Sequence, residues 1–119
     1  MRISHIDHIQ LAMPKDKEAD AAAFYVDALG LDAVEKPESL KANGGVWFGN
    51  DDVNIHLGIE AGFRAAKKAH PAFRVDDLDR LAARLIAGGF AVIWDDRLPN
   101  TRRFYSDDPY GNRIEFMAL

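Results

Sequence analysis

Hydrophobic and polar residues alternate from Ser4 to Met13. Ile6, His8, Gln10 and Ala12 fall on one side, and Ile9, Leu11 and Met13 on the other. A period of two predicts a half-buried strand, which Pro14 stops. The period then lengthens. Asp16–Ala28 is alanine-rich, and Ala23, Phe24, Val26 and Leu29 share an apolar stripe. That pattern predicts a helix, closed by Gly30. Strands are expected over 31–35, 45–48 and 53–59, the last with Val53, Ile55, Leu57 and Ile59 opposite Asn54, His56 and Gly58. Pro37–Asn43 reads as loop, and Asn50-Asp51-Asp52 has turn chemistry.

After a polar connection over 60–69 the same order begins again. A strand is expected over 70–75. A helix follows from a cap at Asp76 or Asp77 to about Ala87, with Leu78, Leu81 and Leu85 as its stripe and Gly88-Gly89 as its end. Strands over 90–94, 101–106 and 113–117 complete the pass, with Asp108-Pro109-Tyr110-Gly111 as a turn.

The chain therefore reads as strand, helix and three strands, written twice at an offset of about sixty residues. His8 aligns with His70, Leu29-Gly30-Leu31 with Gly88-Gly89-Phe90, Trp47-Phe48 with Phe104-Tyr105, and His56 with Glu115. The expected fold class is α+β: two tandem βαβββ modules forming a curved mixed sheet around a concave site. Module one covers about 4–60 and module two about 69–119, within one domain of 1–119. Neither half, at ~55 residues, would bury enough surface alone. The two pack together or swap with a second chain.

Composition narrows the function. Apolar residues make up 48% and charged residues 29%, which supports a core inside a solvated surface. A net charge of −4 points to neither nucleic acid nor an anionic membrane surface. No apolar run approaches the ~20 residues of a membrane span. MRISHIDHIQ has no signal-peptide core. A cytoplasmic protein is expected. The chain has no cysteine, so any metal must be held by His, Asp, Glu or water.

Four polar residues stand at repeat-related places on otherwise apolar strands: His8, His56, His70 and Glu115. Alternation sends their neighbours Ile9, Ile55, Leu57, Ile114 and Phe116 under the helices. The four are then expected on the concave face, where imidazoles and a carboxylate suit a divalent transition metal. A half-buried carboxylate needs such a partner. A lone strand histidine is more often structural, and His5, without a repeat partner, is left so. Gln10 and Arg74 share the face and are candidate substrate contacts, or simply solvated side chains. Trp47, Phe48, Arg103 and Tyr105 are expected to line the pocket, with ordinary sheet packing as the alternative.

HIDHIQL, the Leu-Gly after the first helix, HPAFRV, DPYGNRIEF and the doubled βαβββ order resemble the vicinal oxygen chelate superfamily over nearly the whole chain. That group includes glyoxalase I, methylmalonyl-CoA epimerase, extradiol dioxygenases, fosfomycin-resistance thiol transferases and bleomycin-binding proteins. The resemblance implies one divalent metal per site, Zn, Ni, Fe or Mn, held by His8, His56, His70 and Glu115. It implies Lewis-acid catalysis on a small vicinal-oxygen substrate, of lyase, isomerase or dioxygenase type. Glyoxalase I carries glutamate, and the epimerases glutamine, where this chain has His56. Glu115 is then the one carboxylate base, and His56 a fourth ligand or an acid/base group. The alternatives are a bleomycin-resistance-type protein that sequesters a small molecule, and a fosfomycin-type thiol transferase. The latter is disfavoured by the lack of a dense Lys, Ser and Tyr cluster, an objection that Arg102 and Arg103 weaken. A homodimer is expected, because a small two-module chain must hide its sheet edges.

Overall fold

The computed structural model describes all 119 residues. Module one contributes β1 (Ile9–Met13), β2 (Asp32–Val34), β3 (Val46–Gly49) and β4 (Asn54–Ile59), in the sheet order β1-β4-β3-β2. Module two contributes β5 (Ala72–Val75), β6 (Ile93–Asp95), β7 (Arg103–Asp107) and β8 (Arg113–Ala118), in the order β5-β8-β7-β6. In each sheet the first strand runs parallel to the last, and the other pairs are antiparallel. The two sheets share no strand pair, so β1 and β5 are both edges.

The first helix differs from a single run over 16–28. It is a 3₁₀ turn at Glu18–Asp20 followed by a π-helical segment at Ala23–Ala28. Leu29 N–H donates to the Phe24 carbonyl five residues back, at 2.9 Å. The wider turn lets Phe24, Tyr25 and Ala28 all face the core. The stretch read as loop contains a short helix, α1 (Glu38–Lys41), where Lys41 bridges Glu35 and Glu38. The second long helix, α2 (Leu78–Ala87), follows the pattern. Asp77 caps it by accepting from Arg80 N–H at 3.0 Å, and Leu78, Leu81, Ala82 and Leu85 are buried.

One continuous apolar cluster joins the modules. Met13, Phe48, Ile55 and Leu57 enter it from the first sheet, Phe104, Ile114 and Phe116 from the second, and Phe24, Leu81 and Leu85 from the helices between.

The turn Asp108–Asn112 locks onto module one. Asp108, 4% exposed, accepts from the Tyr25 hydroxyl at 2.7 Å, the Asn112 side chain at 3.1 Å, and the Tyr110 and Asn112 amides at 2.9 Å each. Asn112 also donates to the Ala12 carbonyl at 2.8 Å, and the Tyr110 hydroxyl to that of Lys17 at 2.6 Å. Burial, and then the Asp108 carboxylate, push the Tyr25 hydroxyl well above its ordinary value of 10.0. A folded-state value above the unfolded one means stability that is complete below about pH 10 and lost as pH rises above it. The urea midpoint is therefore expected to fall steeply above pH 10 in the parent protein and less steeply in Tyr25→Phe. Parallel curves for the two would refute this coupling.

Candidate functional site

Strand register lays each set of polar residues across one sheet face. In module one the rung is Gln10–His56–Trp47–Val34, with His8 just ahead of β1. In module two it is Ala72–Glu115–Tyr105–Ile93, with His70 two residues ahead of β5. His8 and His56 are thus the counterparts of His70 and Glu115, as the repeat predicts. The alignment of Trp47-Phe48 with Phe104-Tyr105 is one residue out. Trp47 opposes His56 and Tyr105 opposes Glu115, so the equivalent pair is Trp47 and Tyr105. A strand shifted by one exchanges its faces, so Trp47 and Tyr105 share the polar face while Phe48 and Phe104 enter the core.

The expected gathering of all four on one concave face does not occur within the chain. No three of its His, Asp and Glu side chains come close enough to hold an ion. Two half-sites form instead. The molecule measures 45 × 43 × 25 Å with a radius of gyration of 14.7 Å. Compact chains of this length average about 13–14 Å, consistent with modules that lie side by side rather than closing over each other.

In the first half-site His8, His56 and Trp47 form a stack. The His8 and His56 centroids are 4.1 Å apart with ring planes at 18°, and those of His56 and Trp47 3.8 Å apart at 2°. Burial, and then the charge of His8, lower the His56 pKa, so its ring is neutral at neutral pH. The Asp7 carboxylate sits 2.8 Å from His8 Nδ1 and orients that ring, leaving Nε2 outward. Trp47, His8, His56, Gln10, Val34 and Leu40 border an open depression of about 490 Å³.

The second half-site is more enclosed. Glu115 is 5% exposed. His70 Nδ1 lies 2.8 Å from the Lys68 carbonyl, a partner that can only accept. A neutral His70 therefore carries its proton on Nδ1 and turns the Nε2 lone pair toward Glu115 Oε1, 3.0 Å away. Two acceptors cannot bond, so the contact is a hydrogen bond to Glu115 when the ring is doubly protonated and a place for a cation when it is not. Arg103 donates to Glu115 Oε2 at 3.2 Å and to Asp95 Oδ1 at 3.2 Å. Asp95 in turn takes Arg97 Nε at 2.7 Å. Burial raises the Glu115 pKa, but hydrogen bonds from His70 and Arg103 outweigh it and the carboxyl lies below its ordinary value.

The expected pocket residues divide. Trp47 faces the open depression. Phe48 borders it as well, but its ring is 2% exposed and stacks on Tyr25 in the core, 5.2 Å between centroids, because its neighbour Trp47 takes the outer side of the strand. Arg74 turns to the Ala118 carbonyl at 2.8 Å. Arg103 is engaged by its two carboxylates and is not free to hold an anionic ligand. Tyr105 lies under the Arg113 guanidinium at 3.8 Å and edge-on to His70 at 5.5 Å. Arg102 pairs with Asp79, away from both half-sites, at 2.8 and 3.0 Å. His5 contacts only its neighbour Ser4.

Asp7, Asp95 and the Lys68 carbonyl have no counterpart among the candidates that the sequence pattern offers. The Asp-His pair at 7–8 carries a signal for Asp7. Nothing in the pattern marks Asp95, whose role depends on strand register.

The donor chemistry fits a divalent ion. Both orienting contacts free the Nε2 of a histidine, as metal-ligating histidines require. Donors about 2.1 Å from a common ion lie roughly 3.0–3.4 Å apart, and the His70–Glu115 separation of 3.0 Å falls in that range. Within one chain only His70 and Glu115 have this spacing; the near-parallel stack of His8 and His56 keeps their ring nitrogens from converging on one ion, so the first half-site offers His8 alone.

Several solved structures share this fold. A glyoxalase family protein from Bacillus anthracis is 47% identical, covering 99% of this chain and 97% of that one, with a TM-score of 0.94. TnmS3, an antibiotic binding protein from Streptomyces sp. CB03234, is 26% identical over 99% of this chain and 98% of that one, TM-score 0.73. A lactoylglutathione lyase from Agrobacterium tumefaciens is 26% identical over 99% and 96%, TM-score 0.70. No curated protein matches the chain. Residues 5–116 match the Glyoxalase/Bleomycin resistance protein/Dioxygenase superfamily, and the chain belongs to that superfamily.

Proposed function

We propose that this protein is a metal-dependent enzyme whose site is completed by two copies, module one of each facing module two of the other. The observation that carries this reading is the separation of the donors into two half-sites. Each presents a histidine oriented by a neighbouring oxygen, the second adds Glu115, and neither suffices alone. His8 and His70 would hold the ion through Nε2, and Glu115 through Oε1. When bound, the ion would act as a Lewis acid toward two neighbouring oxygens of a small substrate. Arg103, anchored by Asp95, holds Glu115 in place. His56, clamped between His8 and Trp47, is the group assigned to move a proton. Trp47 supplies a flat wall for the substrate.

Metal analysis of the purified protein should find about one divalent ion per chain, the expectation for a catalytic site with an open position. His5→Ala should leave that content intact. Chelation should abolish turnover in a screen of hemithioacetals, α-keto thioesters and catechols. Full turnover by thoroughly stripped protein would overturn the reading.

A second reading is favoured by the stacked wall of the open depression and by the antibiotic-binding relative. It is a protein that sequesters an aromatic small molecule. Tight stoichiometric binding without turnover would select it.

A further inference from the structure

We infer that Arg113 binds a carboxylate of the substrate, which makes the substrate of the proposed site a small organic acid. The inference rests on the metal-site reading above and names what that site takes. Arg113 opens β8 two residues before Glu115, and alternation along the strand sets both on one face. Its guanidinium lies over the Tyr105 ring, 3.8 Å from the centroid. Tyr105 is the cross-strand partner of Glu115, so Arg113 reaches it along the diagonal. The cation is thereby held beside the carboxylate assigned to the ion.

No acid neutralises Arg113. Asp107 is its cross-strand partner, but the Asp107 carboxylate takes Lys67 at 2.9 Å. Lys67 is fixed there by a second bond, to the Gly111 carbonyl at 2.6 Å. Glu115 and Asp95 both accept from Arg103, and Asp95 also from Arg97. The three carboxylates of this face, Asp95, Asp107 and Glu115, therefore already have their cations. Apart from the Tyr105 ring, Arg113 touches only the Lys67 carbonyl at 3.5 Å, long for a hydrogen bond.

This is the geometry of an anion receptor. Stacking on an aromatic face holds the guanidinium plane and leaves the N–H groups at its rim free. That planar fork matches a carboxylate through two parallel hydrogen bonds. Residues two apart on a strand lie roughly 6.6 Å apart, which suits an acid group placed directly at the oxygens that meet the ion. An ion held by neutral imidazoles and one carboxylate keeps positive charge, so it favours the same anion as Arg113 does.

The test is calorimetric titration of the zinc-loaded protein with lactate and with lactamide. Both offer two neighbouring oxygens, and only lactate carries the charge. Arg113→Met keeps an apolar stem on Tyr105 and removes the fork. It should weaken lactate binding about tenfold or more, the effect of losing a charged hydrogen-bond partner, and leave lactamide binding unchanged. Arg113→Lys keeps the charge without the fork and should fall between. Equal losses for both compounds, no loss for either, or no binding of lactate by the parent protein overturns the assignment. Zinc content, measured first, separates the failures. Protein that takes up no zinc overturns the metal site itself, whereas zinc-loaded protein that shows no Arg113-dependent preference for lactate overturns only the role of Arg113.

Discussion

Glu115→Ala should strip most of the divalent metal from the purified protein. Removing a group that merely supports a ligand costs roughly 10–100-fold in metal affinity, and loss of a ligand should cost at least as much. The same change removes the acceptor for His70 and Arg103. Loss of a charged hydrogen-bond partner costs on the order of 2 kcal/mol, so a lower melting temperature should accompany the metal loss. Glu115→Gln separates the effects: it keeps the side-chain shape and one acceptor oxygen, but not the charge an ion needs. Metal content should fall in both variants, and stability less in the glutamine. Full metal content in Glu115→Ala would remove Glu115 from the site.

Asp108→Ala should be the most damaging single change to the fold. Its carboxylate accepts four hydrogen bonds at a buried position between the modules. Alanine leaves the Tyr25 hydroxyl, the Asn112 side chain and two amides without that acceptor. Each buried neutral donor left unpaired costs about 1–3 kcal/mol, so losing this shared acceptor should cost about 3–5 kcal/mol in all. For a domain of this size that is a fall in melting temperature on the order of 10–20 °C. Metal binding in the protein that remains folded should survive, since neither half-site contains the turn. A loss of stability below about 1 kcal/mol would mean that the apolar cluster alone joins the modules.

The turn also shows what sequence patterns carry. Asp108-Pro109-Tyr110-Gly111 is legible as a turn because Pro and Gly have local conformational preferences. Its partners are not legible: Tyr25 lies 83 residues away and Ala12 a hundred residues from Asn112. The π-helical segment is not legible for a similar reason. An alanine-rich stripe specifies a helix, but the wider turn answers to burial of Phe24, Tyr25 and Ala28 against both modules.

The site divides along the same line. Alternation within strands and the repeat between halves place His8, His56, His70 and Glu115 at equivalent positions and set them opposite the core face. Those are local properties, because side-chain direction along a strand follows from the backbone itself. What pairs Glu115 is tertiary. Arg103 reaches it from the neighbouring strand, and Asp95 holds Arg103 from the strand beyond. The arrangement of the modules is tertiary as well. Two equivalent units can close on each other or lie side by side, and both bury the same apolar stripes, so the sequence pattern does not choose between them. The contacts of the Asp108–Asn112 turn with module one, and of the two helices with each other, select the side-by-side form. That choice separates the four polar residues into two pairs and leaves β1 and β5 as open edges.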